Sequence, residues 1–401
     1  MIALGAALVI AVAALPHEHD RRYSVAIVYL GLGALSGAGL RLFDRGPLDP
    51  VGDQLLLRRA SEAAMALALF ATGLRLRRRL SPRAWASPAR LLGIAMTLTI
   101  AAVAAWAAGP MGLTLGAAIA LGAALAPTDP VLAGGLGVGP PGAAEEEREA
   151  EFTLSAEAGF NDGLGVPFVV LGTLVATKGG TSWLGEWIGT EVLYGAGAGI
   201  VLGGLAGYLF GKGTFALRRR GLLVPELDPW LGPAGAVLIY GAAQALDLYG
   251  FLAVLAAGIG FRHQELETSY NRRVHDGAEV VKTFAELVVL ALFGAMLTWG
   301  DFGAPGVSGW LLVPLLIFVI RPVLVFVSLV GDDRLSLRDR IYLAWFGVKG
   351  IASLNYLALI VASGAFAGAE LEQIVWTIMA VVLVSIVVHG LSATPLVKRL
   401  R

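Results

Sequence analysis

Long runs of apolar residues alternate with short polar connections along the whole chain. A helix needs about 20 apolar residues to cross roughly 30 Å of hydrocarbon. Stretches of this kind predict thirteen transmembrane helices, with no connection long enough for a separate soluble domain. The predicted spans are residues 2–16, 24–42, 54–74, 89–109, 112–135, 151–176, 187–211, 228–246, 249–261, 279–298, 307–330, 338–363 and 372–397.

The first span, residues 2–16, has the length of the apolar core of a signal peptide. Its start carries no positive charge, and no good cleavage site follows it. We therefore expect this segment to be retained as a helix.

The composition supports an integral membrane protein. Of the 401 residues, 57% are hydrophobic and 15% are charged, with a mean hydropathy of +0.74. A soluble domain is about 45–50% apolar and about 25% charged. The formal net charge is zero, which argues against a disordered or nucleic-acid-binding chain. The absence of Cys excludes disulfides, thiolate zinc sites and cysteine nucleophiles.

Basic residues are distributed unevenly between the two sets of loops that thirteen spans define. With a cytoplasmic C-terminus, 23 of the 30 basic residues fall in inner loops, 5 in outer loops, and 2 within spans. The positive-inside rule favours this asymmetry, so we predict the N-terminus outside and the C-terminus in the cytoplasm. The two basic residues within spans are Arg321 and Lys349, and Lys282 is counted in an inner loop.

Charged side chains within or beside the predicted spans are functional candidates, because a charge near the bilayer centre costs on the order of 3 kcal/mol. They are Glu62, Asp129, Glu157, Asp162, Glu286, Arg321 and Lys349. For Glu286 we expect a structural pair with Lys282, four residues earlier on one helix face.

The fifth span predicts a helix that is interrupted at mid-membrane. Pro127 and Pro130 flank Thr128 and Asp129, and each proline removes a donor and clashes with the preceding turn. Open backbone at that depth is tolerated only where it is buried in protein or lines a cavity. We therefore expect unwound backbone here instead of a simple kink.

The twelfth span carries a second interruption at a matching depth, where Gly347 and Gly350 bracket Lys349. Spans four to six and eleven to thirteen form triplets of opposite orientation, each with an interrupted span in its middle. Such pairs in inverted halves indicate a transporter site at the membrane midplane. Asp129 can balance the positive N-terminal helix ends there, and Lys349 the negative C-terminal ends.

The sixth span places three polar side chains on two faces. Glu157 and Asn161 are four residues apart and share a face, whereas Asp162 points about 100° away. We expect Arg321 to pair with Glu157, because an unpaired guanidinium at this depth is very costly. Asp162 is then the carboxylate without an assigned cation.

Removal of a carboxylate from water favours its protonated form, so Asp162 can bind either a proton or a small hard cation. Thr128, Asp129 and backbone carbonyls can supply the other oxygen ligands that such cations prefer. Competition of two ions for one site, together with alternating access, describes an antiporter. A single carboxylate would exchange one monovalent cation per proton, which is electroneutral.

Five motifs occur here in a specific order and spacing: Thr128-Asp129-Pro130, Glu157 to Asn161-Asp162-Gly163, Arg321-Pro322, Gly347-Val348-Lys349-Gly350, and His389-Gly390-Leu391 to Pro395-Leu396. Over residues 60–398 this set resembles the bacterial NhaP-type sodium/proton antiporters of the monovalent cation:proton antiporter family. The resemblance implies an all-α polytopic, inverted-repeat fold with two crossed discontinuous helices and an elevator-like core. It assigns residues 1–86 and 179–304 to dimerisation and linker helices, and 87–178 and 305–401 to the two halves of the core transport domain.

By the same resemblance, the ion and the proton bind at Asp162, Asp129 and Thr128, with Asp162 and Thr128 as ligands of the monovalent cation. The supporting residues are Asn161, Glu157, Arg321 and Lys349. No catalytic residue, cofactor or nucleic-acid partner is implied, only transported Na⁺ (or K⁺ or Li⁺) and H⁺. The expected partners are the lipid bilayer of the cell inner membrane and a second copy of the chain.

Three positions depart from the family pattern. Lys349 stands where Arg is usual, and Ala158 stands where a Ser often binds the ion. Arg75 lies near a common acidic position, for which Glu62 is a candidate substitute. These departures leave the choice among Na⁺, Li⁺ and K⁺ open.

Other functions stay open at this point: a K⁺/H⁺ antiporter, a cation channel, a Na⁺-coupled solute symporter and a membrane enzyme. Paired interrupted helices argue against the filter-like loop of a channel, and no metal-ligand or nucleophile constellation favours an enzyme.

Overall fold

The computed structural model describes residues 24–42, 48–76, 78–129, 148–262, 270–297 and 301–400. These residues form thirteen helices and no strand. The helices are α1 (Val25–Leu42), α2 (Gln54–Arg75), α3 (Ala86–Ala108), α4 (Leu115–Leu125), α5 (Glu149–Thr177), α6 (Trp183–Arg219), α7 (Asp228–Ala245), α8 (Gly250–Arg262), α9 (Tyr270–Met296), α10 (Gly306–Ser328), α11 (Leu337–Trp345), α12 (Ile351–Ser363) and α13 (Gly368–Leu400). The first predicted span and residues 130–135 of the fifth lie outside the described residues.

Long apolar helices dominate this part of the chain. Five are long and apolar enough to cross a membrane: α3, α5, α6, α10 and α13. Four shorter apolar helices, α1, α4, α8 and α12, accompany them. In α3, α6 and α10 the helix contains a π-helical stretch, at Leu91–Met96, Trp187–Ala198 and Leu316–Ile320.

At both positions where the sequence predicts an interruption, the described backbone is not helical. In the fifth predicted span, α4 ends at Leu125, and residues 126–129 after it are not helical. The twelfth predicted span consists of two helices, because α11 ends at Trp345, residues 346–350 are not helical, and α12 begins at Ile351.

The two unwound segments touch each other. The main-chain N–H of Asp129 donates to the carbonyl oxygen of Val348 at 2.7 Å. The main-chain N–H of Lys349 donates to the Ser385 hydroxyl on α13 at 2.8 Å. These bonds satisfy backbone groups that lost their helical partners, as a buried chain requires.

Glycines bring α2, α5 and α8 close together around the interruptions. A Cβ on Gly73 of α2 would lie 2.4 Å from the carbonyl oxygen of Leu255 on α8. A Cβ on Gly163 of α5 would lie 2.6 Å from the side chain of Leu252, also on α8. Backbones at this distance leave no room for larger residues, so α2 and α5 are both held against α8.

The tenth predicted span starts at residue 279, within a longer helix, α9, that begins at Tyr270. Lys282 therefore lies inside a helix with 1% of its surface exposed, and its assignment to an inner loop was wrong. The charged first half of α9 resembles a loop in a hydropathy pattern, although its Lys282 is neutralised by Glu279 at 3.1 Å.

Candidate ion site

The ammonium group of Lys349 lies at the end of α4. From the unwound segment it donates to the carbonyl oxygens of Ala126 at 2.9 Å and Pro127 at 3.0 Å. The last carbonyls of a helix lack intrahelical partners and carry partial negative charge. Lys349, which is 1% exposed, therefore balances the C-terminal end of an interrupted helix, as predicted.

Arg321 and Glu157 form a buried bidentate ion pair. The two guanidinium nitrogens Nη1 and Nη2 of Arg321 donate to Oε1 and Oε2 of Glu157 at 2.5 and 2.8 Å. The predicted pairing is confirmed. Gly347 makes room for it, because a Cβ at that position would lie 2.5 Å from Nε of Arg321.

Asn161 lies against the unwound end of α4. Its Nδ2 donates to the Thr128 hydroxyl at 2.8 Å, and its Oδ1 accepts from the main-chain N–H of Thr128 at 3.3 Å. Both residues are 1% exposed. The pair therefore joins α5 to the first interruption.

Asp162, the next residue on α5, faces a small cavity. Its Oδ1 is buried and accepts no hydrogen bond within the described part of the chain. The cavity has a volume of about 40 Å³, enough for at least one water or a small ion. Its lining residues are Ala64, Met65, Ala68, Leu69, Thr72, Arg75, Thr128, Asp129, Ser155, Ala158, Gly159, Asp162, Glu286 and Ile351.

The structure thus brings the seven predicted site residues into two layers. Asp162, Asp129 and Thr128 line the cavity. Behind them, Asn161, Glu157, Arg321 and Lys349 make the polar contacts described above.

Glu62 does not take the place of the acidic residue that the family pattern has near Arg75. It is ion-paired with Arg58 at 2.8 Å and Arg59 at 3.0 Å, and it is not among the residues that line the cavity. Arg75 does line the cavity, and it pairs with Glu279 on α9 at 3.0 Å. The candidate role for Glu62 was wrong, because neighbouring cations on its own helix hold it.

Two polar contributions to the site were not predicted, and a third, Glu286, was a candidate charge interpreted as a structural pair. Ser155 lines the cavity beside Ala158; it lies seven residues before Asp162, a spacing that places both on one helix face. Tyr356 of α12 donates its hydroxyl to the main-chain oxygen of Asp162. Glu286 lines the cavity, although its spacing from Lys282 suggested a structural pair alone.

The described residues contain no group of three or more His, Asp or Glu side chains arranged to hold a metal ion. The donors around Asp162 are instead hydroxyl, carboxylate and backbone oxygens, which suit a transported alkali cation.

The sequence matches the family described as "Sodium/hydrogen exchanger, transmembrane" over residues 6–399. The chain belongs to this family. Its membership, with the long apolar helices, makes it a multi-pass membrane protein.

Relatives of this exchanger-family chain include antiporters of fungi and bacteria. It is 28% identical over 312 residues to "Na(+)/H(+) antiporter 2" of Zygosaccharomyces rouxii, covering 73% of this chain and 37% of that protein. It is 28% identical over 243 residues to "K(+)/H(+) antiporter NhaP2" of Shewanella baltica, covering 60% of this chain and 40% of that protein. The chain spans less than half the length of both relatives. Because one is fungal and the other bacterial, the resemblance is to the family as a whole and not to its bacterial members alone.

Solved structures show the same fold. The sodium proton antiporter MjNhaP1 of Methanocaldococcus jannaschii at pH 8 superposes with a TM-score of 0.71 at 18% identity, covering 96% of this chain and 97% of that one. An electron-microscopy map of the same antiporter gives a TM-score of 0.77 at 20% identity, covering 99% and 95%.

Proposed function

We propose that this exchanger-family protein is a secondary active antiporter that exchanges a monovalent cation for H⁺, with Na⁺ as the first candidate. One observation carries the proposal: Asp162 points a buried, unpartnered carboxylate oxygen into a cavity beside two interrupted helices. The ionised group attracts a cation, and the same group is neutral when it holds a proton. Thr128 and Asp129 supply further oxygens at the cavity wall.

The charges behind the cavity favour electroneutral exchange. Glu157 and Arg321 neutralise each other, and Lys349 is held by main-chain carbonyls. Asp162 is then the group that carries one proton in one direction and one monovalent cation in the other. A current that scales with turnover in reconstituted membranes would contradict this stoichiometry.

An elevator-like movement of an inverted-repeat core is part of the proposal. The core comprises residues 87–178 and 305–401, each half containing one interrupted helix in a pair that crosses at the site. Residues 1–86 and 179–304 form the dimerisation and linker region of a homodimer. Contact of the two unwound segments through Asp129 and Val348 supports this arrangement.

Proton movement in vesicles tests the function. The protein is reconstituted with a pH-sensitive dye, a pH gradient is imposed, and Na⁺, Li⁺ or K⁺ is added. We expect cation-driven dequenching for the wild type and none for Asp162→Asn. A matched control is Asp247→Asn, an exposed position with φ of 56°, which Asn tolerates well. Exchange that survives Asp162→Asn would refute the site, and no response to any of the three ions would refute the function.

A K⁺/H⁺ antiporter is the second candidate. The Shewanella relative carries that name, and Ala158 and Arg75 change the cavity wall at positions that affect ion choice in the family pattern. Competition among Na⁺, Li⁺ and K⁺ at fixed pH decides between them. A channel would conduct without coupled proton movement, and a symporter would need an organic solute.

The proposed orientation, with the C-terminus in the cytoplasm of a cell with an inner membrane, can be tested by labelling. The chain contains no Cys, so each introduced thiol is unique. We expect an impermeant reagent to modify Gly179→Cys from outside and to leave Arg220→Cys unmodified in intact cells. Both positions are exposed in the structure. The reverse pattern would overturn the topology.

A further inference from the structure

The cavity at Asp162 receives a third carboxylate from outside the proposed core. Glu286 belongs to α9 and lines the same cavity as Asp129 and Asp162. Only 5% of its residue surface is exposed.

Glu286 is weakly paired, although two cations lie nearby. Lys282 Nζ is 3.1 Å from Glu279 but 3.9 Å from Glu286, too far for a hydrogen bond. Arg75 also binds Glu279, at 3.0 Å. Both cations therefore make their shorter contacts with Glu279. No hydrogen bond to the Glu286 carboxylate occurs among the described residues, and a buried carboxylate in that state favours a cationic partner.

We propose that Glu286 is a contact residue for the transported cation, attracting it into the cavity from the α9 side. This inference rests on the proposed antiport function. The family pattern has an acid near the position of Arg75 on α2. Here Arg75 is neutralised by Glu279, and Glu286, when ionised, supplies a negative charge to the cavity from a different helix.

Glu286 and Asp162 have different roles in this proposal, because they lie on different helices. Asp162 lies on α5, within the proposed moving core, whereas Glu286 lies on α9, outside it. Glu286 therefore strengthens cation binding when the cavity-facing side of α5 lies opposite α9. It does not travel with the ion. Removing its charge should weaken apparent affinity while exchange itself persists.

The test compares Glu286→Gln with Glu62→Gln in the reconstituted protein. Both residues are buried glutamates, at 5% and 6% exposure, with cationic neighbours on their own helix, but Glu62 does not line the cavity. We expect Glu286→Gln to raise the apparent KM for Na⁺, Li⁺ or K⁺ about tenfold, equivalent to about 1.4 kcal/mol, with Vmax retained. Glu62→Gln should keep the wild-type KM.

A binding readout supports the transport assay. Added NaCl or LiCl should raise the Tm of the detergent-solubilised wild type more than choline chloride does, because a ligand that binds only the folded state stabilises it. The midpoint of this shift should move to about tenfold higher salt in Glu286→Gln. An unchanged KM, or a lowered Vmax at unchanged KM, would overturn the inference.

Two further outcomes are distinguishable. If Glu286→Gln does not fold, Glu286→Asp keeps the charge beside Lys282 but withdraws the oxygens by one methylene; a raised KM supports the proposal, and a wild-type KM overturns it. If the wild type itself exchanges none of the three ions, the antiport function fails, and the inference falls with it.

Discussion

Asn161 and Thr128 exchange two hydrogen bonds between α5 and the unwound end of α4. The amide nitrogen donates at 2.8 Å and the amide oxygen accepts at 3.3 Å. A side-chain amide offers a donor and an acceptor at once, which matches the hydroxyl and the main-chain N–H of Thr128. This pair fixes one wall of the cavity beside Asp162.

We predict that Asn161→Leu reduces the initial rate of cation-driven proton exchange by at least about tenfold. The substitution leaves buried polar groups of Thr128 without their partner, at a cost of roughly 1–3 kcal/mol. The control is Asn355→Leu on α12, where a buried Asn donates to the Ser61 hydroxyl at 2.9 Å away from the cavity lining. It should lose stability but keep exchange. Equal rates for Asn161→Leu and wild type would contradict the prediction.

The Glu157–Arg321 pair predicts a strong dependence of stability on both partners. Removing one member of a buried pair leaves an uncompensated charge and costs about 3–5 kcal/mol. Glu157→Gln and Arg321→Met should therefore each lower the Tm sharply, whereas the double variant should recover most of the loss. The measurement is a double-mutant cycle of thermal unfolding in detergent. Additive losses in the double variant would show that the observed contact at 2.5 and 2.8 Å is not energetically coupled.

We expect exchange to depend on the positive charge of Lys349 more than on the shape of its side chain. Its ammonium group holds the carbonyls of Ala126 and Pro127, so Lys349→Met should leave them unpaired and abolish exchange. Lys349→Arg keeps a cation that can donate to the same oxygens, and we expect measurable exchange to remain. Vesicle dequenching distinguishes them. Full activity in Lys349→Met would show that the end of α4 does not need this charge.

A polar network between the start of α3 and the loop after α10 predicts a pH-dependent contribution to stability. Asp332 accepts hydrogen bonds from Ser87 at 2.7 Å and from Arg334 at 3.0 and 2.9 Å. Burial by itself raises the pKa of Asp332, but these hydrogen bonds outweigh it and lower the pKa to about 2. The lowered pKa means that the ionised form is stabilised in the folded protein.

The contribution of Asp332 is therefore fully present above the ordinary pKa of 3.8 and is lost as pH falls through the folded pKa of about 2. We expect Asp332→Asn to cost roughly 1 kcal/mol above pH 5, after allowance for screening at a loop, with the difference from wild type shrinking below pH 4. Unfolding measured from pH 7 to pH 3 tests this. The exposed neighbour Asp333 supplies the control, Asp333→Asn, which should show no such trend.

Much of the helical order could be read from the apolar pattern. The interruptions before Pro127 and around Lys349 were predictable because proline and paired glycines act locally on the backbone. The partner of Arg321 was predictable as well, since a buried guanidinium requires a carboxylate and Glu157 lies at a matching depth. These inferences need only local chemistry and the cost of charge in hydrocarbon.

The roles of Glu62, Lys282 and Glu286 were not predictable in this way. In the sequence, Glu62 and Glu286 are both candidate charges, and Lys282 is counted in an inner loop. Only the packing of α9 against α2 decides that Glu286 reaches the cavity, while Glu62 is satisfied by its own helix. Likewise, Lys282 is buried because Glu279 neutralises it.

Hydropathy, proline geometry and the free-energy cost of an unpaired charge are enough to predict the class of molecule, the end of α4 before Pro127 and the candidate role of Asp162. Tertiary structure decided which side chains share the cavity with Asp162. That choice depends on glycine contacts such as Gly73 against Leu255, which set how closely distant helices approach. The distance between helices that are far apart in the sequence cannot be read from the hydropathy pattern.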